Sequence, residues 1–155
     1  MSDNGEVDAG LIIRPCEAAD IPGVLAVSAA CVEEGLVYGL TVVTLDEVTA
    51  RLGTYCYVAT HGKEIVAYAW GVESVSEGMA VIPRDAPYLE VEELMVKPGC
   101  RDQGIGGLLL DTLLQAARDR GIDRFLVYSA NQDTERIMRF YGKHGFRSWC
   151  VMMYR

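Results

Sequence analysis

Two stretches hold residues whose types and spacing fit chemistry. Residues 100–121 read CRDQGIGGLLLDTLLQAARDRG, in which three glycines fall within four positions and run into a leucine-rich segment of helical spacing. Glycine costs about 1 kcal/mol relative to alanine inside a helix, so the cluster weakens the turn it occupies. A strand, a tight glycine turn and a helix expose the first backbone N–H groups of the helix with no side chain in the way. The partial positive charge of a helix N-terminus suits that turn to a phosphate or diphosphate, and Arg101 adds a full positive charge at its entrance in an acidic chain. The spelling fails the P-loop, which needs a lysine after its last glycine. It also fails the dinucleotide fingerprint, which belongs to a first strand–helix unit rather than past mid-chain. Glycines that only let the helix pack closely on a strand are the other reading of these residues. The second stretch is YLEVEELMV, residues 88–96. Alternation along a strand predicts Glu90, Glu92, Leu94 and Val96 on one face and Val91, Glu93 and Met95 on the other. Repulsion between Glu90 and Glu92, with partial burial, would raise one carboxyl toward a general-base value. The same acids otherwise bind a cationic substrate or face solvent.

These stretches need elements to position them. LIIRP at residues 11–15 reads as a strand ended by Pro15, and residues 20–33 as an amphipathic helix capped by Asp20 with Pro22 in its first turn. An apolar loop over 35–43 leads to a short helix over 44–51, with Thr44 as N-cap and Glu47 at the capping-box position. TYCYVATHGKEIVAYAWGVES reads as a hairpin broken at His61, Gly62 and Lys63. A loop over 76–87 precedes the glutamate strand, which stops at Pro98. The glycine helix ends at Gly121, with Arg118 and Arg120 in its last turn. RFLVYSA, a helix over 134–144 closed by Gly145 and a terminal strand in FRSWCVMMYR complete the order β-α-α-β-β-β-α-β-α-β. That order predicts an α/β or α+β fold with a mixed sheet, one domain over 11–155 behind a flexible N-terminus over 1–10.

Arg101-Asp102-Gln103-Gly104-Ile105-Gly106 spells R-x-x-G-x-G between LMVKP and the leucine-rich helix, and FYGKHGF follows forty residues past Arg101. Together the two motifs resemble the GNAT superfamily of N-acetyltransferases, over roughly residues 88–155, and the element order from Leu11 onward agrees. The resemblance implies a GNAT-like fold with a mixed, twisted sheet of about six to seven strands flanked by helices. It implies acetyl-coenzyme A as acyl donor, its diphosphate held by amides of Gln103, Gly104, Ile105, Gly106 and Gly107 with Arg101 at the mouth of the turn. Main-chain groups of Met95 and Val96 would pair with the pantetheine arm and offer an oxyanion donor, and Asn131 would lie near the cofactor.

The same resemblance implies direct attack by an amine in a ternary complex, with no cysteine nucleophile. Glu90, at the family's separation from the turn, or Glu92 would be the base. Tyr141 would be the acid, protonated at neutral pH because an unperturbed tyrosine titrates near about 10; a packed aromatic between Phe140 and Phe146 is its alternative. Ile137 departs from the alanine that the family often has one turn before the tyrosine. The acceptor would enter between Glu33, Glu34, Tyr38 with the loop after them and the loop over 76–87. Acidic residues there suit a cationic amine: a polyamine, an amino acid derivative, an aminoglycoside-like antibiotic or a protein amino group. A non-catalytic acyl-coenzyme A sensor, which needs neither Tyr141 nor the glutamates, is the alternative from another class.

Bulk composition narrows the remainder. A net charge of −8 over 155 residues argues against a phosphate-neutralising surface for nucleic acid. Five cysteines, odd in number and without a C-x-x-C pair, read as reduced thiols, and with two histidines no metal site is expected. His144 reads as a helix cap and His61 as a hairpin-turn residue. The polar start and the lack of a membrane-length apolar run predict a soluble, cytoplasmic protein. Apolar SWCVMMYR fits either a homodimer contact or a strand buried within one chain.

Overall fold

The chain lays its strands side by side in sequence order. In the computed structural model, which describes residues 10–155, β1 (Leu11–Pro15), β2 (Cys56–His61), β3 (Glu64–Val75) and β4 (Pro87–Val96) pair antiparallel. β5 (Phe125–Val127) pairs parallel to β4. A parallel neighbour needs a crossover, and α3 (Ile105–Arg118) supplies it. The flexible N-terminus expected over 1–10 lies, but for Gly10, outside the described residues.

Both faces of the sheet are covered. On one, Leu109, Leu110, Leu113, Leu114 and Ala117 of α3 are buried against Ala59, Ala67, Ala69, Leu89 and Val91. Small residues on the middle strands let the leucines seat closely, and each such leucine stabilises by about 1.5–3 kcal/mol. On the other, α1 (Ile21–Glu34) and α2 (Leu45–Arg51) bury Val24, Val27, Cys31 and Val48 against Val58, Tyr68 and Trp70. The expected capping box is present: Glu47 N–H donates to Thr44 Oγ1 at 3.2 Å and Thr44 N–H to Glu47 at 2.7 Å. Asp20 stands at the N-cap of α1 without capping it. Its carboxylate accepts Arg14 at 2.6 and 2.7 Å and the Glu17 N–H at 2.9 Å, so it ties β1 to the helix instead.

α4 (Thr134–Lys143) follows β5, and its N-cap is Asp133, which accepts the Arg136 N–H at 3.0 Å. The helix buries no residue fully; Phe140 and Tyr141 rest on the rim of the α3 layer. The mixed α+β architecture is as expected, but the sheet has five strands among the described residues rather than six to seven. The missing one is FRSWCVMMYR, which forms no strand. Val151 to Tyr154 are between 76% and 97% exposed. A strand needs a neighbour, and β5, three residues long, offers little edge to add to.

One irregularity in β4 decides which way its side chains point. Trp70 pairs with Glu93 and Gly71 with Val91, so Glu92 is an extra residue with no opposite number. Such a bulge shifts the alternation by one. Leu89, Val91, Leu94 and Val96 consequently all pack on the α3 side, while Met95 packs with the α1 side and Glu93 meets Tyr68 there. This corrects the expected faces: Glu90 does not share a face with Leu94 and Val96, and Glu93 joins the side of Glu90. Gly71 makes room, since a Cβ there would lie 2.9 Å from the Glu90 carbonyl oxygen and 3.0 Å from Leu89. Gly71→Ala is therefore expected to destabilise by about 1–3 kcal/mol, the range of overpacking; urea unfolding would show it, and an unchanged midpoint would mean that the bulge tolerates a wider strand.

Candidate active site

Three glutamates gather where β4 bulges. Glu90 is half-buried, and burial first, then the neighbouring Glu92 charge, pushes its carboxyl above the usual range. Glu92 itself is held by Arg51 of α2 at 2.8 Å. Glu93 accepts a hydrogen bond from the buried Tyr68 hydroxyl at 2.9 Å. Burial raises the Glu93 carboxyl, the Tyr68 bond partly offsets this, and Glu47 and Glu92 add repulsion. Sequence spacing singles out Glu90 and Glu92 but not Glu93. The signal for it is the polar pair Glu92-Glu93, where strict alternation allows one polar residue between Val91 and the next apolar position.

β5 pairs only with Leu89, Glu90 and Val91. From Glu92 to Val96, β4 therefore has no strand partner on that side, and the main chain of Met95 and Val96 lies along this opening. At its end the glycine turn begins. Asp102 and Gly104 have positive φ, 62° and 79°, and Gly104 is the N-cap of α3 without a side-chain cap. The first intrahelical bond runs from Leu108 N–H to Gly104 O at 3.1 Å, so the N–H groups of Ile105, Gly106 and Gly107 head the helix with no acceptor in it. A Cβ on Gly104 would meet nothing within 4 Å, so the turn faces open space. A Cβ on Gly107 would lie 3.2 Å from His144 Nε2, and one on Gly106 3.5 Å from Val96 and 3.6 Å from Phe140. Gly104 shapes the turn through its positive φ, and the tight packing at Gly107 is against the end of α4 rather than a strand. His144 caps α4 as expected and also joins it to α3, its Nδ1 lying 2.8 Å from Asp111.

The other expected site residues have varied surroundings. Ile105 has its side chain in the α3 core, and Gln103 is exposed. Tyr141 is packed edge-on between Phe140 and Phe146, at 5.0 and 5.4 Å between ring centroids, and burial pushes its hydroxyl up to about 12. Asn131 uses its side-chain oxygen to accept the Asp133 N–H at 2.8 Å, which is turn chemistry. Glu33 and Tyr38 are exposed, and Tyr38 accepts a hydrogen bond from Tyr154 at 3.2 Å. Glu34 pairs with Arg101. Gln132, which nothing in the sequence marks, donates from its side chain to Gly35 O at 2.7 Å and from its backbone to Leu36 O at 2.9 Å.

A three-residue β5 thus lies beside a bulged β4, with the glycine turn at the end of that strand. The family model described as the acetyltransferase (GNAT) family matches residues 32–146. The chain belongs to that family. Among solved structures it is similar to an aminoglycoside acetyltransferase from an uncultured soil metagenomic sample, at 18% identity and TM-score 0.71, over 97% of this chain and 98% of that one. A Trypanosoma brucei acetyltransferase shares 23% identity at TM-score 0.69, over 94% and 98% of the two chains. A predicted acetyltransferase from Clostridium acetobutylicum, solved with acetyl-CoA, shares 16% at TM-score 0.69, over 94% and 95%. At these identities the likeness concerns the fold. No curated protein matches the chain by sequence. Among the described residues, no group of three or more His, Cys, Asp or Glu could hold a metal ion, and no helix is long and apolar enough to cross a membrane.

The raised Glu93 carboxyl carries a pH signature. An acid whose folded pKa lies above its unfolded value binds its proton more tightly in the folded state, so its contribution to stability falls as pH rises through that interval. Glu93→Gln keeps an acceptor for Tyr68 and removes the charge. Its urea midpoint, compared with wild type, is expected to gain steadily from acid to neutral pH; a difference that stays constant or shrinks would show that Glu93 ionises freely.

Proposed function

We propose that this chain is an acetyl-coenzyme A-dependent N-acetyltransferase, one cytoplasmic domain over residues 11–155, that acetylates a primary amine of a small molecule or protein by direct attack in a ternary complex. The observation that carries the reading is the N-terminus of α3, whose Gly104 turn faces open space beside the unpartnered stretch of β4. A diphosphate fits there: the amides of Gln103, Gly104, Ile105, Gly106 and Gly107 would hold it, and the main chain of Met95 and Val96 is the stretch that would lie along the pantetheine arm, with an N–H as oxyanion donor. Acetyl-coenzyme A, when bound, supplies the acetyl group as a thioester.

The chain's own residues divide the proton work. Glu90 is the base, because burial and Glu92 raise its affinity for a proton, whereas Arg51 holds Glu92 in an ion pair. Tyr141 is the acid. Its hydroxyl, raised by burial, stays protonated at neutral pH and would give its proton to the departing sulfur. Glu93 is engaged with Tyr68 and keeps the bulge turned toward α1. The acceptor enters past Glu33, Tyr38 and the loop over 76–87, where the acidic setting favours a cationic amine; the aminoglycoside acetyltransferase of like fold supports that class.

Calorimetric titration with acetyl-coenzyme A tests the donor site. Micromolar binding is expected in wild type and none in Gly104→Glu, which puts bulk and negative charge in the turn; no binding by wild type would end the proposal. With a panel of polyamines and aminoglycosides assayed for thiol release, Glu90→Gln and Tyr141→Phe are each expected to lower kcat about a hundredfold or more. Full activity in Tyr141→Phe would leave that residue a packing aromatic.

A further inference from the structure

Arg101 carries the one charge expected at the mouth of the glycine turn, yet its side chain reaches elsewhere. Its Nη1 donates to Glu34 Oε1 at 2.7 Å, its Nη2 forms an ion pair with Glu34 Oε2 at 2.5 Å, its Nε donates to Val96 O at 3.2 Å, and its Nη2 donates to Cys31 Sγ at 3.8 Å. A guanidinium has five N–H donors in a fixed fork. Three donate here, and the carboxylate neutralises the charge. The pair is partly shielded, at 25% and 28% side-chain exposure, which strengthens a bidentate contact over a surface one.

Glu34 is the last residue of α1, and Gly35, at φ 70°, turns the chain out of the helix. The next residues are fastened, from Gly35 to Tyr38, to the segment beyond β5. Gln132 donates to Gly35 O and Leu36 O, Val37 forms an antiparallel bridge with Asn131, and Tyr38 N–H donates to Ala130 O at 3.0 Å. Residues 35–38 thus form a strap between two anchors. One is Arg101, beside the end of β4; the other is the segment just beyond β5. These are the two flanks of the opening left where β4 and β5 part.

We propose that Arg101 is a positioning residue rather than a diphosphate ligand: through Glu34 it fixes the strap over 35–38, so that the donor turn and the acceptor loop are held as one unit. This rests on the acetyltransferase reading. Arginine suits the task because its planar fork spreads donors from three nitrogens across the carboxylate and the carbonyl, whereas lysine concentrates its three on one. Glu34 then belongs to the framework of the acceptor loop and does not itself bind substrate.

The test compares wild type, Arg101→Lys, Glu34→Gln and the double variant by amide hydrogen exchange without ligand and by calorimetry with acetyl-coenzyme A. Both single variants should exchange faster within 35–38 and bind more weakly by a similar factor, about two- to thirtyfold. The double variant should be no worse than either, because each breaks the same contact. If Arg101 served the diphosphate directly, Arg101→Lys would bind nearly as wild type and Glu34→Gln, which frees the guanidinium, would bind as well or more tightly; that result overturns the inference. So does faster strap exchange with unchanged affinity. Absence of binding by wild type sinks the acetyltransferase reading instead, and the clamp then stands or falls on whether Glu34→Gln loosens the strap.

Discussion

Two adjacent carboxylates must both be kept out of a layer of leucines, and the rest of the site depends on how the chain does this. Beneath α3, the sheet presents Leu89, Val91, Leu94 and Val96 to Leu109, Leu110 and Leu113. A regular strand would have driven Glu93 into that layer, where an unpaired carboxylate costs several kcal/mol or gives up its charge. An added residue at Glu92 removes the conflict, at the expense of a break in pairing and a stronger local twist. Because β5 leaves β4 at Val91, immediately before the added residue, the frame shift and the opening occur at the same place. Burial of leucine and access for a ligand therefore have a common origin.

The glycine turn answers a second constraint at the far end of the same strand. It reverses the chain from β4 into α3, and α4 must approach the first turn of that helix. Gly104 meets the first need through its positive φ, and Gly107 meets the second by leaving room for His144. Neither demand involves a ligand. The amides at the head of α3, which have no acceptor within the helix, come from geometry that the fold requires anyway, so one short motif that serves packing also offers donors suited to an anion.

Much of this is legible in the sequence where the signal is local. Helix periodicity, the Thr44 and Glu47 capping pair, the His61-Gly62-Lys63 turn and the R-x-x-G-x-G spelling all involve residues within a few positions of one another. Long-range relations are not legible. Glu34 lies 67 residues from Arg101, and Gln132 lies 97 from Gly35, so no spacing rule links them. Period-two reasoning assigns Glu93 the wrong face because it counts residues and ignores the layer beneath them, although the doublet of glutamates is visible. The terminal segment reads as a strand from its apolar composition, but composition does not report whether a free edge exists to receive it.

The order of the strands also protects the molecule from its own kind. Apolar β2, β3 and the paired part of β4 lie inside the sheet, where both edges of each are satisfied. The outer positions go to strands poorly fitted to recruit another chain: β1 is five residues long and ends at Arg14 and Pro15, and β5 is three residues long. A short or proline-ended margin gives an incoming strand too few hydrogen bonds to register against. Apart from the stretch of β4 beyond Val91, the apolar strands of the sheet are thus withheld from self-templated aggregation by sequence order alone.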